Sequence, residues 1–237
     1  MIIVAEHLLE SVAVIPDGNR RFAKKKGMPL EAAYMAGFKR AGEFSKWAFD
    51  SGVKNVSLWA LSLDNFSKRS DDELNVLFKL MAKNIDDMLS HPKFKEQDGR
   101  IKFFGKRSLL PENIQKGMAE LEEKTRDRKG NSLNIAIAYS GREQLLTATT
   151  KLAQDIASGK VDSRKVDEST FANYLYSDQT PQLIIRTGNV QRLSGFMPWQ
   201  NTYSELYFSP KLWPEFEQKD FAAAKEFYET TEQRFGK

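Results

Sequence analysis

Short apolar runs alternate with longer stretches of helical period along this chain, and that alternation limits the fold more than any other feature. Ser11–Ile15 reads as a buried strand, and Asn55–Leu61, Ile101–Phe104, Leu133–Tyr139 and Leu183–Ile185 read the same way. Between them, helices are predicted over Ala36–Ser51, closed by Gly52, and over Asp72–Leu89, with apolar residues at 74, 77, 78, 81, 85, 88 and 89. Further helices are predicted over Pro111–Arg128, Glu143–Ala157 and Glu217–Phe235. No low-complexity linker or internal repeat interrupts the series. The expectation is one α/β domain over residues 1–237, with a mostly parallel central sheet of about six strands and helices on both faces. In such folds ligands gather at the carboxyl ends of the strands.

Composition removes several chemistries. The chain has no cysteine, which excludes disulfides and thiolate catalysis. Its only histidines are His7 and His91, so neither a histidine zinc site nor a catalytic triad is expected. The first residues, MIIVAEHLLESV, are apolar but carry Glu6 and Glu10 and lack a basic lead, so they do not read as a signal peptide. No apolar run approaches a membrane span, and a cytoplasmic protein is expected. A net charge of +4 with pI near 9.0 suits an anionic ligand. Nucleic acid is not expected, since it would call for a longer basic stripe or a known module.

Three clusters lie just after predicted strand ends. In the first, Pro16-Asp17-Gly18-Asn19 is a turn signal, followed by Arg20, Arg21, Lys24, Lys25 and Lys26 at a helix start. A strand feeding a glycine turn and then a helix presents backbone N–H groups at the positive end of the helix dipole, a phosphate-binding geometry. Asp17 is out of place in an anion site unless a hard cation such as Mg²⁺ lies between carboxylate and phosphate. A solvated surface loop is the other reading. In the second cluster, Ser62 to Ser70, a polar loop with Asn65, Lys68 and Arg69 either binds an anion or simply caps the next helix through Ser70. In the third, Arg186, Arg192 and Ser194 follow a strand, where two guanidiniums either clamp a diphosphate or serve structural ion pairs. Glu205 lies further on among aromatic residues, where a carboxylate needs a partner.

Together these segments resemble the cis-prenyltransferase family, the undecaprenyl diphosphate synthase-like enzymes. The first signature stands as Asp17-Gly18-Asn19-Arg20-Arg21-Phe22-Ala23, and the loop signature as Ser62, Asn65, Phe66, Arg69 and Ser70 with one extra residue before Arg69. The distal signature keeps Arg186, Thr187, Gly188, Arg192, Ser194, Phe196, Trp199, Gln200, Tyr203, Glu205, Leu206 and Phe208. Arg234-Phe235-Gly236 resembles the family's C-terminal motif, which reaches across a dimer interface. The resemblance runs from about Val12 to Gly236.

The resemblance implies a homodimeric, Mg²⁺-dependent transferase that joins isopentenyl diphosphate to an allylic prenyl diphosphate with a new cis double bond. It implies that Asp17 holds Mg²⁺ with Glu205 as a second acidic contributor. Gly18, Asn19, Arg20 and Arg21, with Phe22 beside them, would cradle the allylic diphosphate. Arg186, Arg192, Ser194, Arg234 and Gly236 would grip isopentenyl diphosphate. Asn65 would assist proton removal or hold the diphosphate, with Ser62, Phe66 and Arg69 around it. Helix 72–89 would line an apolar tunnel, although its apolar stripe reads equally as simple core and one face can do both, and a long apolar product implies peripheral membrane contact. The chain departs from the family at Leu30 and Tyr34, where Arg and His are usual, and at Ala138, Asn189, Val190, Gly195 and Pro198. Those departures leave open a different coupling geometry, such as head-to-middle condensation, or another acceptor. A non-catalytic accessory subunit is the remaining reading, but such subunits typically lack the first motif's Asp and its basic followers, and both are present.

Overall fold

The strand expected at 11–15 is β1 (Ser11–Ile15), buried over its whole length at the centre of a sheet. A computed structural model describes the chain at residues 8–92, 94 and 98–232. The other strands are β2 (Asn55–Ser62), β3 (Arg100–Phe104), β4 (Ser132–Tyr139), β5 (Leu183–Arg186) and β6 (Glu205–Phe208). They form one six-stranded sheet in the order β3-β4-β2-β1-β5-β6. Every neighbouring pair is parallel, so the sheet is wholly rather than mostly parallel. β6 was absent from the apolar runs because it is an edge strand of four partly exposed residues, too short for a burial pattern to register.

The helices are α1 (Asn19–Lys26), α2 (Leu30–Asp50), α3 (Leu63–Lys68), α4 (Asp71–Ser90), α5 (Glu112–Thr125), α6 (Gly141–Ala157), α7 (Glu168–Ala172) and α8 (Gln218–Thr230). α2 starts at Leu30 rather than Ala36, immediately after Pro29, whose fixed φ suits a helix start. α3 lies in what read as a loop; the Ser62 hydroxyl accepts the Asn65 N–H at 3.0 Å and caps it. Ser70 caps α4 by accepting the Glu73 N–H at 3.3 Å, as one reading of that loop expected. α8 stops at Thr230 instead of Phe235, with the Thr230 and Thr231 hydroxyls donating back to the carbonyls of Glu226 and Phe227. Among the described residues no helix is long and apolar enough to cross a membrane.

Alternation along the strands sends side chains to two faces. On one face Val12, Val14, Val56, Leu58, Leu183 and Ile185 meet Phe44, Ala48, Trp213, Phe221 and Tyr228 from α2, α8 and the segment before α8. Beside this layer, Leu77, Met81 and Ile85 of α4 and Ile114, Met118 and Leu121 of α5 pack with Phe103 and Ile137. The opposite face sets Ala13, Ile15, Trp59, Ala136 and Ile184 against Tyr139, Phe196 and Met197.

The β2–β4 ladder slips between Trp59 and Ser62, and Ala138 takes φ 47° there, a left-handed conformation costing about 1–2 kcal/mol for a residue with a Cβ. The irregularity bends both strands at their carboxyl ends. Phe44 is fully buried against Trp213, Phe216 and Phe221. Phe44→Ala should therefore lower unfolding free energy by about 3–5 kcal/mol in urea titrations at unchanged m-value.

Candidate active site

The turn between β1 and α1 requires glycine at one position. Gly18 has φ 119°, and a Cβ there would lie 2.9–3.0 Å from Leu212. The chain therefore turns sharply, and α1 begins without a side-chain cap, so no capping side chain occupies its first-turn N–H groups. Asp17 precedes it and is held at both ends. Its carbonyl accepts the Thr187 hydroxyl at 2.8 Å and the Trp213 N–H at 3.0 Å. Its carboxylate pairs with Arg21 at 3.0 Å and with Arg186 at 2.9 Å. Arg21 and Asp17 share one face of the chain at i,i+4 spacing, so the acid stabilises the cation beside it.

Arg186 comes from the neighbouring strand. Register pairs it with Ile15, which places its loop directly beside the Asp17 turn. Its guanidinium is 7% exposed and donates to the Arg192 carbonyl at 2.6 Å and the Ser194 hydroxyl at 2.8 Å as well as to Asp17. The loop it organises bends through Gly188 at φ 87°, Asn189 at 55° and Ser194 at 53°. A side chain at position 188 would strike Arg21, which instead donates to the Gly188 carbonyl at 2.5 Å. Arg192 and Ser194 are exposed toward the opening.

These two loops form the rim of a cavity of about 660 Å³. Asp17, Gly18, Asn19, Arg20, Arg21, Ser62, Asn65, Arg69, Arg186, Arg192 and Ser194 all line it, so most of the expected site is brought together. Phe38, Ala41, Leu58, Leu77 and Ile135 make its inner wall apolar. Of α4, Leu77 faces the space, while Leu80, Met81 and Ile85 are core, so the stripe expected to line a tunnel serves mainly packing. Phe22 and Phe66 do not line it: Phe22 lies under Lys26, and Phe66 packs near Phe78. Arg69 is 13% exposed and paired with Glu73 at 2.9 Å, whereas Lys68 is exposed at the end of α3.

Glu205 does not join Asp17 within one chain. It pairs with Leu183 at the amino end of β5, whereas Arg186 and Ile15 mark the carboxyl end. That sets Glu205 about 10 Å along the strands from the level of Ile15, and about 10 Å across from β1, with Asp17 lying beyond Ile15 in the turn. Among the described residues no group of three or more acidic or histidine side chains could hold a metal. Arg234 and Gly236 lie outside the described residues. Trp59 and Tyr139, both bordering the cavity, and Glu73 were not foreseen; Tyr139 was visible only as the end of a strand. The Tyr139 hydroxyl is pushed well above its ordinary range, chiefly by burial. Arg186→Gln should unpin Asp17 and loop 187–194 together, with about 2 kcal/mol lost in denaturant titrations and faster amide exchange in that loop.

A prenyltransferase family model described as undecaprenyl diphosphate synthase matches residues 15–236. The chain is 39% identical over 216 residues to the geranylgeranyl-diphosphate-specific tritrans,polycis-undecaprenyl-diphosphate synthase of Archaeoglobus fulgidus, covering 90% of this chain and 86% of that protein. It is 38% identical over 229 residues to the isoprenyl transferase of Thermotoga maritima, covering 96% of each. Among solved structures, lavandulyl diphosphate synthase from Lavandula x intermedia, in complex with dimethylallyl diphosphate, superimposes with a TM-score of 0.89 at 30% identity, covering 97% of this chain and 98% of that one. With its motifs gathered around one cavity and nearly its whole length matched, the chain belongs to the undecaprenyl diphosphate synthase family of cis-prenyltransferases.

Proposed function

We propose that this protein condenses isopentenyl diphosphate with an allylic prenyl diphosphate to give a cis-extended prenyl diphosphate. The observation that carries the reading is the polarity of one cavity: Arg20, Arg21, Arg69, Arg186 and Arg192 at its mouth, and an apolar wall behind them. A ligand with a diphosphate head and a hydrocarbon tail matches both ends. The geranylgeranyl specificity of the archaeal relatives makes a C20 primer the first to try.

The chemistry sets the demands. The allylic carbon–oxygen bond breaks, diphosphate leaves with the electron pair, and the isopentenyl double bond attacks the allylic carbon. A proton then leaves to form the new double bond. The first-turn N–H groups of α1, with Asn19, Arg20 and Arg21, stabilise the departing anion from a fixed position. Arg186, Arg192 and Ser194 hold the second diphosphate, so that the two reacting carbons meet in a set orientation. Asn65, exposed on the first turn of α3, orients a diphosphate; an amide is too weak a base to take the proton unaided. Asp17 is the residue that would hold Mg²⁺, because this cation takes one or two carboxylates and completes its shell with phosphate oxygens. When bound, Mg²⁺ neutralises charge on the leaving diphosphate. The Arg21 and Arg186 partners of Asp17 hold that carboxylate at the rim.

A homodimer accounts for the surface around β6. Among the described residues no strand pairs with the outer edge of β6, and Trp199, Tyr203, Leu206 and Phe227, on β6 and the segments around it, are large hydrophobic residues with exposed surface. Glu205 sits on this strand, so its acidic contribution would go to an interface rather than to the Asp17 of its own chain. The protein works in the cytoplasm, with its apolar product passing to a membrane surface. A second reading, a branched single condensation, draws on the similarity to lavandulyl diphosphate synthase together with Leu30 and Tyr34.

Incubation with isopentenyl diphosphate, Mg²⁺ and allylic primers of several lengths should give a ladder of cis-extended products by mass spectrometry and NMR. One branched product instead of a ladder would favour the second reading, and no product from any pair would sink both. Asp17→Ala should reduce turnover at least about 100-fold while the fold persists. Sedimentation of the wild-type protein should give a dimer, and Leu206→Glu should shift it to monomer.

A further inference from the structure

Glu73 is an acid set just behind three residues that line the cavity, Tyr34, Arg69 and Arg20. It belongs to the first turn of α4, its side chain is 10% exposed, and three groups converge on its Oε1. The Tyr34 hydroxyl of α2 donates to it at 2.5 Å. The Nε of Arg69 lies 2.9 Å away and that of Arg20 4.0 Å away. The Arg69 guanidinium also lies over the Tyr34 ring, 5.5 Å from its centre. Burial, with the Glu73 carboxylate next, pushes the Tyr34 hydroxyl well above its ordinary range, so it stays a donor at any working pH.

A buried carboxylate beside a phosphate site costs binding energy unless it does something for the cations around it. Here it forms an ion pair with Arg69, its Oε1 2.9 Å from a buried Nε that makes no aligned hydrogen bond, while Arg69 itself lines the cavity. The Arg69 guanidinium is flanked on two sides, by a carboxylate and by an aromatic face, and both of its terminal nitrogens are left over for an anion in the cavity that it lines. Tyr34 has its single O–H committed to Glu73 and has none to give a diphosphate. Leu30 is packed against the α4–α5 core and does not line the cavity at all. Neither Leu30 nor Tyr34 therefore offers a donor at this rim, and of the two cations that line the same space from the end of α3 and the turn after it, Lys68 and Arg69, it is Arg69 that Glu73 and Tyr34 hold.

We infer that Tyr34 is a positioning residue: through Glu73 it holds Arg69, with Arg20 beside it, as the grip on the allylic diphosphate. This deepens the function proposed above and rests on it for the identity of the ligand. The anion grip itself can be tested without turnover. It also assigns the role to Arg69 rather than Lys68.

The test measures binding of two probes, inorganic pyrophosphate and a non-reacting allylic thiolodiphosphate, to the full chain by calorimetry, together with the KM of each substrate. Tyr34→Phe should weaken both probes about tenfold and raise the allylic KM to match, with the isopentenyl KM within about twofold of wild type. Arg69→Met should weaken them at least as much, and adding Tyr34→Phe to Arg69→Met should have little further effect. Glu73→Ala should copy Tyr34→Phe, which guards against one variant failing through misfolding, and urea midpoints report folding separately. Unchanged probe affinity in Tyr34→Phe, or effects of Tyr34→Phe and Arg69→Met that simply add, would overturn the inference. Equal rises in both KM values would do the same, since that is the mark of a general structural role. If wild type binds pyrophosphate but not the thiolodiphosphate, while Tyr34→Phe still lowers pyrophosphate affinity, the grip stands and the prenyl assignment fails.

Discussion

Asp17 is where the parts of this molecule meet. Its carbonyl is bound by Thr187 from the β5 loop and by Trp213 from the segment before α8, and its carboxylate by Arg21 and Arg186. Three chain segments distant in sequence are thereby fixed at one point above the carboxyl ends of β1 and β5. Each hydrogen bond to a charged partner contributes about 1.5–3 kcal/mol, but position matters more than the sum. Were Asp17 displaced, Arg186 would hold only the Arg192 carbonyl and the Ser194 hydroxyl, and the rim would lose its link between loops.

The parallel sheet explains why the rim forms at that end. Parallel strands place all their carboxyl ends on one side, so β1, β2, β4 and β5 each deliver a loop to the same region. The inner pairing β1–β5 brings Asp17 to Arg186, and β2–β4 brings the α3 turn close to Tyr139. The strand slip near Leu61 and the left-handed Ala138 bend the second pair. An Asn at position 138 would accept that conformation at lower cost than Ala, because Asn tolerates the left-handed region.

Charge is balanced in the same economical fashion. The guanidiniums at the mouth repel one another in the absence of a ligand, and two carboxylates placed among them offset that: Asp17 between Arg21 and Arg186, and Glu73 between Arg69 and Arg20. Each acid is held by groups from more than one element, so neutralising the cations also fixes the walls of the cavity. Apolar side chains behind the mouth lower the local dielectric, which strengthens the attraction of the same cations for an incoming anion.

The sequence by itself determined the layered α/β fold, because buried parallel strands demand continuous apolar runs and the intervening helices demand a periodic face. It also disclosed both loops that carry Asp17 and Arg186, since a glycine turn and paired arginines after a strand are chemically distinctive over a few residues. β6 escaped because an exposed edge of four residues has no such pattern, and the start of α2 escaped because Leu30 to Gly37 is rich in small residues. The tertiary structure alone decided which polar groups share a partner. Tyr34 and Glu73 are 39 residues apart, and nothing local in either marks the hydrogen bond between them. It likewise removed Phe22 and Phe66 from the cavity and set Glu205 at the far end of its strand pair. Motif spacing records which residues recur together, whereas side-chain direction and strand register depend on contacts between distant segments, which only the folded chain makes.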